Sequence, residues 1–444
     1  MSDSQPATQS PTNVRWRMFA LAFGTSWLLY LHRYTFGLIK PSIQQEWDLD
    51  NTDMGVLDSV FQGFYMGAQV PLGAAADIVG VHMILPALIL VWSVGLAMHA
   101  WAPNFVAMVW ARIVLAVGQS AAYACVNRMA RLWFPKPIRT TLQGLAGVLA
   151  GRLGGMSAGL IFATLMLGML GIGWRTALLV FAAFGVGYAI LFRFVFRNSP
   201  KEHPGVNEAE AAMFIEAEEG SKGAGAPKMT RMQLLRTLKP RAMANMVCLN
   251  VQSVLSTFAD NIFSAWIPLF LFQEFALKFK EMGIYSALPL LGGAIGGLVG
   301  GALNDWIIAR TGNRRWTRSG VACFGKGMAS IVLFTALIWF ESPYVFCGFL
   351  FFVKFFGDWS LTTAWGVVTD IGGKATASVF AFNNTIAGLG GLVAPLLYGW
   401  LADDFSWKVV FMTAGGIYAL CAISWLFINC TIPMIDESKE ATDG

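Results

Sequence analysis

The chain has 444 residues, 56% of them hydrophobic and only 13% charged. A soluble protein of this length needs far more polar surface, so the composition describes an integral membrane protein and excludes an ordinary water-soluble globule. The formal net charge of +5 arises from basic residues gathered in particular loops. There they act as topology signals, and no basic stripe with interleaved aromatics points to a nucleic-acid partner.

Residues 1–13 are polar and lack the basic start and cleavage site of a signal peptide, so a cytoplasmic tail is expected there. A membrane helix needs about 20 apolar residues. Runs of that kind lie near 18–39, 56–78, 83–101, 105–128, 142–170 and 175–196, and again near 242–272, 283–307, 319–340, 344–369, 376–401 and 408–431. This predicts an all-α integral membrane protein with twelve transmembrane helices.

The first run carries Tyr30-Leu31-His32-Arg33 near its middle. An Arg at the centre of a membrane helix costs about 2.5–3.5 kcal/mol on insertion scales. Its default reading is the lining of a substrate path; a snorkelling Arg or a structural ion pair is the alternative. The fifth run holds Arg152 among Ala150, Gly151, Gly154 and Gly155. Arg152 is read either as an additional anion site or as the partner of an acid in the other half. Asp260 lies in the seventh run and is a candidate for a coupling or substrate role. In the tenth, Lys354 and Asp358 are four residues apart, share a helix face and are expected to pair.

Arg128, Arg131, Lys136 and Arg139 follow the fourth run, Arg310, Arg314, Arg315 and Arg318 the eighth, and Lys374 the tenth. With twelve spans all of these fall on one side, which places both termini in the cytoplasm. Residues 197–240 are polar, with Glu208, Glu210, Glu216, Glu218 and Glu219, and divide the chain. The expected organisation is a tail (1–13), a six-helix bundle (14–196), a cytoplasmic linker (197–240) with a short surface helix near Glu208 to Glu219, a second bundle (241–431) and a tail (432–444). Gly73-Ala-Ala-Ala-Asp77 and Gly301-Ala-Leu-Asn-Asp305 sit at matching places in the two halves, as do Leu153-Gly154-Gly155 and Leu389-Gly390-Gly391. Such a duplication is expected of transporters built from two repeated bundles. The six Cys form no CxxC and the four His have no metal-ligand spacing, so no cofactor is expected.

Trp266-Ile-Pro268-Leu-Phe-Leu, Met282-Gly-Ile-Tyr-Ser-Ala-Leu-Pro289-Leu-Leu-Gly-Gly and Gly301-Ala-Leu-Asn-Asp305-Trp-Ile-Ile-Ala-Arg310-Thr-Gly-Asn-Arg314-Arg315 carry a family pattern, joined by Trp133-Phe134-Pro135 and Gln69-Val-Pro71-Leu-Gly73. On these residues the chain resembles the major facilitator superfamily, and within it the anion:cation symporters that carry sugar acids and related anions. The resemblance implies secondary transport of a small organic anion by alternating access, not an enzyme, with proton coupling as the family expectation. It further implies a monomer in the bacterial cytoplasmic membrane whose partners are the anion, the lipid bilayer and, where coupled, protons.

By the same resemblance Arg33 and Arg112 are anion-binding residues and Tyr65 a substrate contact, with Tyr30 on the face of Arg33. Asn261, Trp365 and Asn383 are polar or stacking contacts from the other half; interhelical hydrogen bonding is the alternative for Asn383. Asp77, Asp305, Arg310 and Arg314 form the gating signatures, with an ion pair of Asp305 to Arg310 or Arg314. Two positions depart from the pattern. His32 and Gln119 stand where the family's sugar-acid carriers have acids, so His32, Asp260 and Asp358 are the proton-coupling candidates. An organophosphate exchanger, a uniporter and a non-transporting membrane sensor are the competing readings.

Overall fold

The computed structural model describes residues 10–213, 240–372 and 376–433, and among them every regular element is helical. The long helices are α1 (Val14–Trp47), α2 (Asn51–Val79), α3 (Val81–Trp101), α4 (Phe105–Trp133), α5 (Leu142–Met169) and α6 (Trp174–Val195). After residues 214–239 come α7 (Pro240–Ala265), α8 (Phe279–Thr311), α9 (Arg314–Trp339), α10 (Pro343–Gly372), α11 (Val379–Asp404) and α12 (Trp407–Phe427). The ten helices α3 to α12 are each long and apolar enough to cross a membrane. α1 and α2 are 34 and 29 residues long. His32, Arg33 and Lys40 in one and Asp58 in the other dilute their apolar stretches.

Local chemistry sets the breaks. α1 runs past its predicted end until Asp48 takes a left-handed conformation (φ 52°). Asp50 then opens α2 with a reciprocal cap, accepting from the Asp53 N–H at 2.7 Å while Asp53 accepts from the Asp50 N–H at 3.3 Å. α7 stops before Trp266, and Pro268 starts a second segment, Ile267–Phe275. α5 contains π-helical turns at Leu145–Leu149 and Ala158–Met169.

In lipid, apolar surface alone does not hold helices together; close approach through small residues does. A Cβ at Gly296 would lie 1.9 Å from the Phe355 carbonyl oxygen, so α8 and α10 touch backbone to backbone. Gly154 brings α5 onto α1 in the same way, 2.3 Å from the Trp27 oxygen. The principal packing repeats with a period of six helices. α1 on α5, α2 on α4, α3 on α4 and α3 on α6 have counterparts in α7 on α11, α8 on α10, α9 on α10 and α9 on α12. Between the groups, α2 faces α11 and α8 faces α5.

The two ends of the molecule differ. At one end Asp403 of α11 accepts from the N–H groups of Asn51 (3.0 Å) and Thr52 (2.8 Å) at the start of α2. Gln273 reaches Gln44 at 2.9 Å, and Gly55 lets α2 touch the Pro395 carbonyl. This end is shut. At the other end Glu210, in a helical stretch at 208–213, accepts from the N–H groups of Val14 (3.2 Å) and Arg15 (3.0 Å). The buried carboxylate thus caps the start of α1. On that face the Asn245 side-chain amide donates to the Asn429 carbonyl at 2.8 Å and accepts from the Asn429 N–H at 2.7 Å, so the described chain ends share it. Residues 1–9, most of the linker including Glu216 to Glu219, Lys374 and residues 434–444 lie outside the described residues.

Candidate functional site

α1 sets Tyr30 and Arg33 one turn apart, on the side facing α2 and α4. Arg33 Nε donates to Gln119 Oε1 of α4 at 2.9 Å. Its guanidinium lies over the rings of Tyr65 (4.7 Å), Phe61 (5.1 Å) and Tyr30 (5.3 Å). One terminal nitrogen, Nη2, is buried without a hydrogen-bond partner, and among the described residues no carboxylate pairs with Arg33. Gln119 is anchored through Nε2 to the Leu29 carbonyl at 3.2 Å. A glutamate here would cancel the charge of Arg33; the amide accepts the bond and leaves the charge free for an anion.

Arg112 is in a different state. Its Nη2 pairs with Asp58 Oδ1 at 2.8 Å and its Nε donates to the Leu57 carbonyl at 3.1 Å. Lys40 Nζ, fully buried, takes the other Asp58 oxygen at 2.6 Å and lies 3.9 Å from the centre of the Trp266 ring. Phe61 separates the two arginines, with Arg112 at 4.5 Å and Arg33 at 5.1 Å from its ring. Lys40 and Asp58 are functional candidates that the sequence reading missed. The signal was available: each is a lone charge at or inside an apolar stretch.

The second half holds a matching cluster. Lys354 pairs with Asp358 at 2.6 Å, as the four-residue spacing predicts, and with Asp260 at 2.7 Å. Asp260 also meets Lys326 at 3.4 Å and accepts from the Tyr418 hydroxyl at 2.6 Å. Arg152 reaches Asp358 across the halves at 2.7 Å, the partner-of-an-acid alternative for that residue. Together Arg33, Lys40, Arg112, Arg152, Lys326 and Lys354 stand against Asp58, Asp260 and Asp358. The interior therefore carries an excess of positive charge.

The remaining predicted residues fall in several places. Asn261 has a buried amide oxygen without a hydrogen-bond partner, beside Asp260. Asn383 donates to Asn250 at 2.9 Å and Ser253 at 3.0 Å, so here it ties α11 to α7. Trp365 packs against Gly147 of the other half and against Phe380. His32 points away from Arg33, with its ring 6.0 Å from Phe181 of α6 and both ring nitrogens buried without hydrogen-bond partners. Asp77, in the last turn of α2, pairs with Arg128 of α4 rather than with a near neighbour in sequence. Asp305 forms no ion pair among the described residues; Arg310 lies over the Trp306 ring at 4.3 Å and Arg314 is exposed. All three sit on the solvated rim, where a carboxylate gains little from pairing. A largely buried pair of the second half joins Arg318 of α9 to Asp370 of α10 at 2.7 Å.

Helical order and charge both point to a solute carrier, and comparison with known proteins decides the family: residues 22–353 and 251–442 match the Major Facilitator Superfamily. The chain belongs to that superfamily. It is a membrane transporter and not an enzyme. The chain is 28% identical to a probable sulfoacetate transporter of Cupriavidus necator, covering 93% of this chain and 94% of that one. It is 27% identical to a probable L-galactonate transporter of Escherichia coli, with coverage of 95% and 90%, and 27% identical to a hexuronate transporter of Bacillus subtilis, with 89% and 90%. In fold it is similar to a bacterial homolog of the human lysosomal transporter Spinster, solved inward-facing and unoccupied. That likeness has a TM-score of 0.74 and 16% identity, over 94% of this chain and 98% of that one.

Proposed function

We propose that this major facilitator carries a small organic anion across the bacterial cytoplasmic membrane, with Arg33 as the anchor for its acidic group. The observation that carries the reading is the state of Arg33. It is a guanidinium inside a helix bundle, walled by Tyr30, Phe61 and Tyr65, bonded to a neutral amide and paired with no described carboxylate. A carboxylate or sulfonate on Arg33 supplies the missing counter-charge and takes up the unused N–H groups. Tyr30, Tyr65 and Gln119 donate to, or accept from, the rest of the solute. The unpartnered amide oxygen of Asn261 and the Trp365 ring offer contacts from the second half.

The transport cycle is alternating access between the bundles 14–196 and 241–431, in a monomer with twelve spans and both termini in the cytoplasm. The end shut by Asp403, Gln273 and Gly55 is then the outer one. Opening it requires Asp403 to leave the start of α2, while the rim residues Asp77, Asp305, Arg310 and Arg314 meet or part on the cytoplasmic side.

One observation favours transport without proton coupling. Each of the interior carboxylates Asp58, Asp260 and Asp358 already holds two cations. To carry a proton it would have to release both. His32, the other coupling candidate, faces α6 away from Arg33. The reading is tested in proteoliposomes by uptake of labelled galactonate and sulfoacetate, with and without an imposed proton gradient. Uptake that Arg33→Gln abolishes supports the site. Uptake that Arg33→Gln leaves intact sinks it, and accumulation that follows the proton gradient would restore symport.

A further inference from the structure

Arg152 on α5 and Asp358 on α10 meet across the interface between the halves, Nη2 to Oδ2, at 2.7 Å. The contact is one of charge without an aligned hydrogen bond, for Oδ2 is buried and accepts none. The other oxygen of Asp358 is held by Lys354 at 2.6 Å. Asp358 therefore keeps a cation if Arg152 leaves. Among the described residues Arg152 has no second carboxylate at ion-pair distance.

Room for the pair depends on Gly293, where a Cβ would stand 2.4 Å from Asp358 Oδ2 and 3.3 Å from Arg152 Nε. Gly151 seats α5 on the Tyr30 ring and Gly155 on the Tyr34 ring. These two rings lie 6.0 Å apart, with the Arg33 guanidinium 5.3 Å from the first and the α5 backbone on either side of Arg152 packed on the pair. Two guanidiniums thus flank one tyrosine pair. One lacks a counter-ion; the other is occupied by a carboxylate of the protein itself.

We infer that Asp358 is a built-in stand-in for one end of the substrate: the preferred solute is a dianion, whose second acidic group displaces Asp358 from Arg152 while Arg33 holds the first. The inference rests on the anion-transport reading above and narrows its substrate class. The exchange replaces one carboxylate on Arg152 with another anion of like charge, so no charge is stranded, and Lys354 retains Asp358. Because the pair spans the halves, loading a dianion also removes a contact that ties them together. A monoanion leaves the Arg152–Asp358 pair closed.

The test titrates the full-length protein in nanodiscs with galactarate and galactonate, which share a six-carbon skeleton and differ in the number of carboxylates. Wild type should bind galactarate more tightly. Arg152→Gln should reduce the ratio of galactarate to galactonate affinity about tenfold or more, the scale of one lost charge-assisted contact. Arg152→Lys, which keeps the charge, should restore much of that ratio. Asp358→Asn, which removes the competitor, should raise galactarate affinity about tenfold. If Asp358→Asn does not fold, the two Arg152 variants decide alone. Equal binding of both acids by wild type, or an unchanged ratio in Arg152→Gln, overturns the inference and leaves the anion reading standing. If neither acid nor sulfoacetate binds wild type, the anion reading falls and the inference with it.

Discussion

Arg33 and Asp58 are both charges inside the bundle, yet their removal should have opposite consequences. Arg33→Gln deletes the bond to Gln119 and three ring contacts. A hydrogen bond to a charged group contributes about 1.5–3 kcal/mol and each cation–π contact about 0.5–1 kcal/mol, so roughly 3–6 kcal/mol is lost. The same substitution ends the burial of a guanidinium that has no carboxylate partner, and such desolvation costs several kcal/mol. The two effects nearly cancel, and Arg33→Gln should stay within about 2 kcal/mol of wild-type stability. Asp58→Asn takes away the one described carboxylate that holds Lys40 and Arg112, both buried. Breaking a buried pair from one side costs about 3–5 kcal/mol. Thermal unfolding of both variants in the same detergent, each with and without a saturating organic anion, reads the difference. The expected result is a low midpoint for Asp58→Asn, and a near-normal midpoint with no ligand-induced rise for Arg33→Gln. Should Arg33→Gln melt as early as Asp58→Asn, Arg33 is a structural ion and the anchor assignment is wrong.

Asp403→Ala removes the acceptor for two α2 N–H groups and the Thr52 hydroxyl; a cysteine placed at Thr52 should then react several-fold faster with a membrane-impermeant maleimide, and an unaltered rate would show that this contact does not hold the end shut. Gly154→Ala drives a Cβ against the Trp27 carbonyl. Overpacking of this kind costs about 1–3 kcal/mol, so the melting midpoint should fall, whereas the open position Gly187→Ala should leave it unchanged. Glu46, at the solvated end of α1, forms a two-bonded pair with Arg175, and those hydrogen bonds hold its carboxyl below the usual 4.5. The pair's contribution is present above that ordinary value and is lost as pH falls through the lowered one. Both groups are more than a third exposed, so the contribution is at most about 1 kcal/mol. The stability gap between wild type and Glu46→Gln should therefore close on acidification below about pH 4, and a gap that persists there would assign it to packing.

Much of the architecture was legible in the chain. Runs of some 20 apolar residues can do little but span, and of the small residues around Arg152, Gly154 marks a place where backbones meet. Arg33 stood out because a lone charge inside such a run is costly. The spacing of Lys354 and Asp358 named their pair. The rim pairing was not legible. Asp77 and Asp305 sit at matching places near the ends of α2 and α8, but the first finds Arg128 on another helix and the second stays exposed. Exposed charges are only weakly directed by their neighbours in sequence.

By itself the sequence determined that this protein lives in a membrane and repeats its own organisation. Those properties follow from composition and periodicity, which act along the chain. Tertiary structure alone decided which cations are spent and which are free. Asp58 neutralises Arg112 from 54 residues away, Asp358 reaches Arg152 in the other half, and Gln119 meets Arg33 without cancelling it. An ion pair is set by a few ångströms in space, and no spacing along a chain of separate helices fixes that distance.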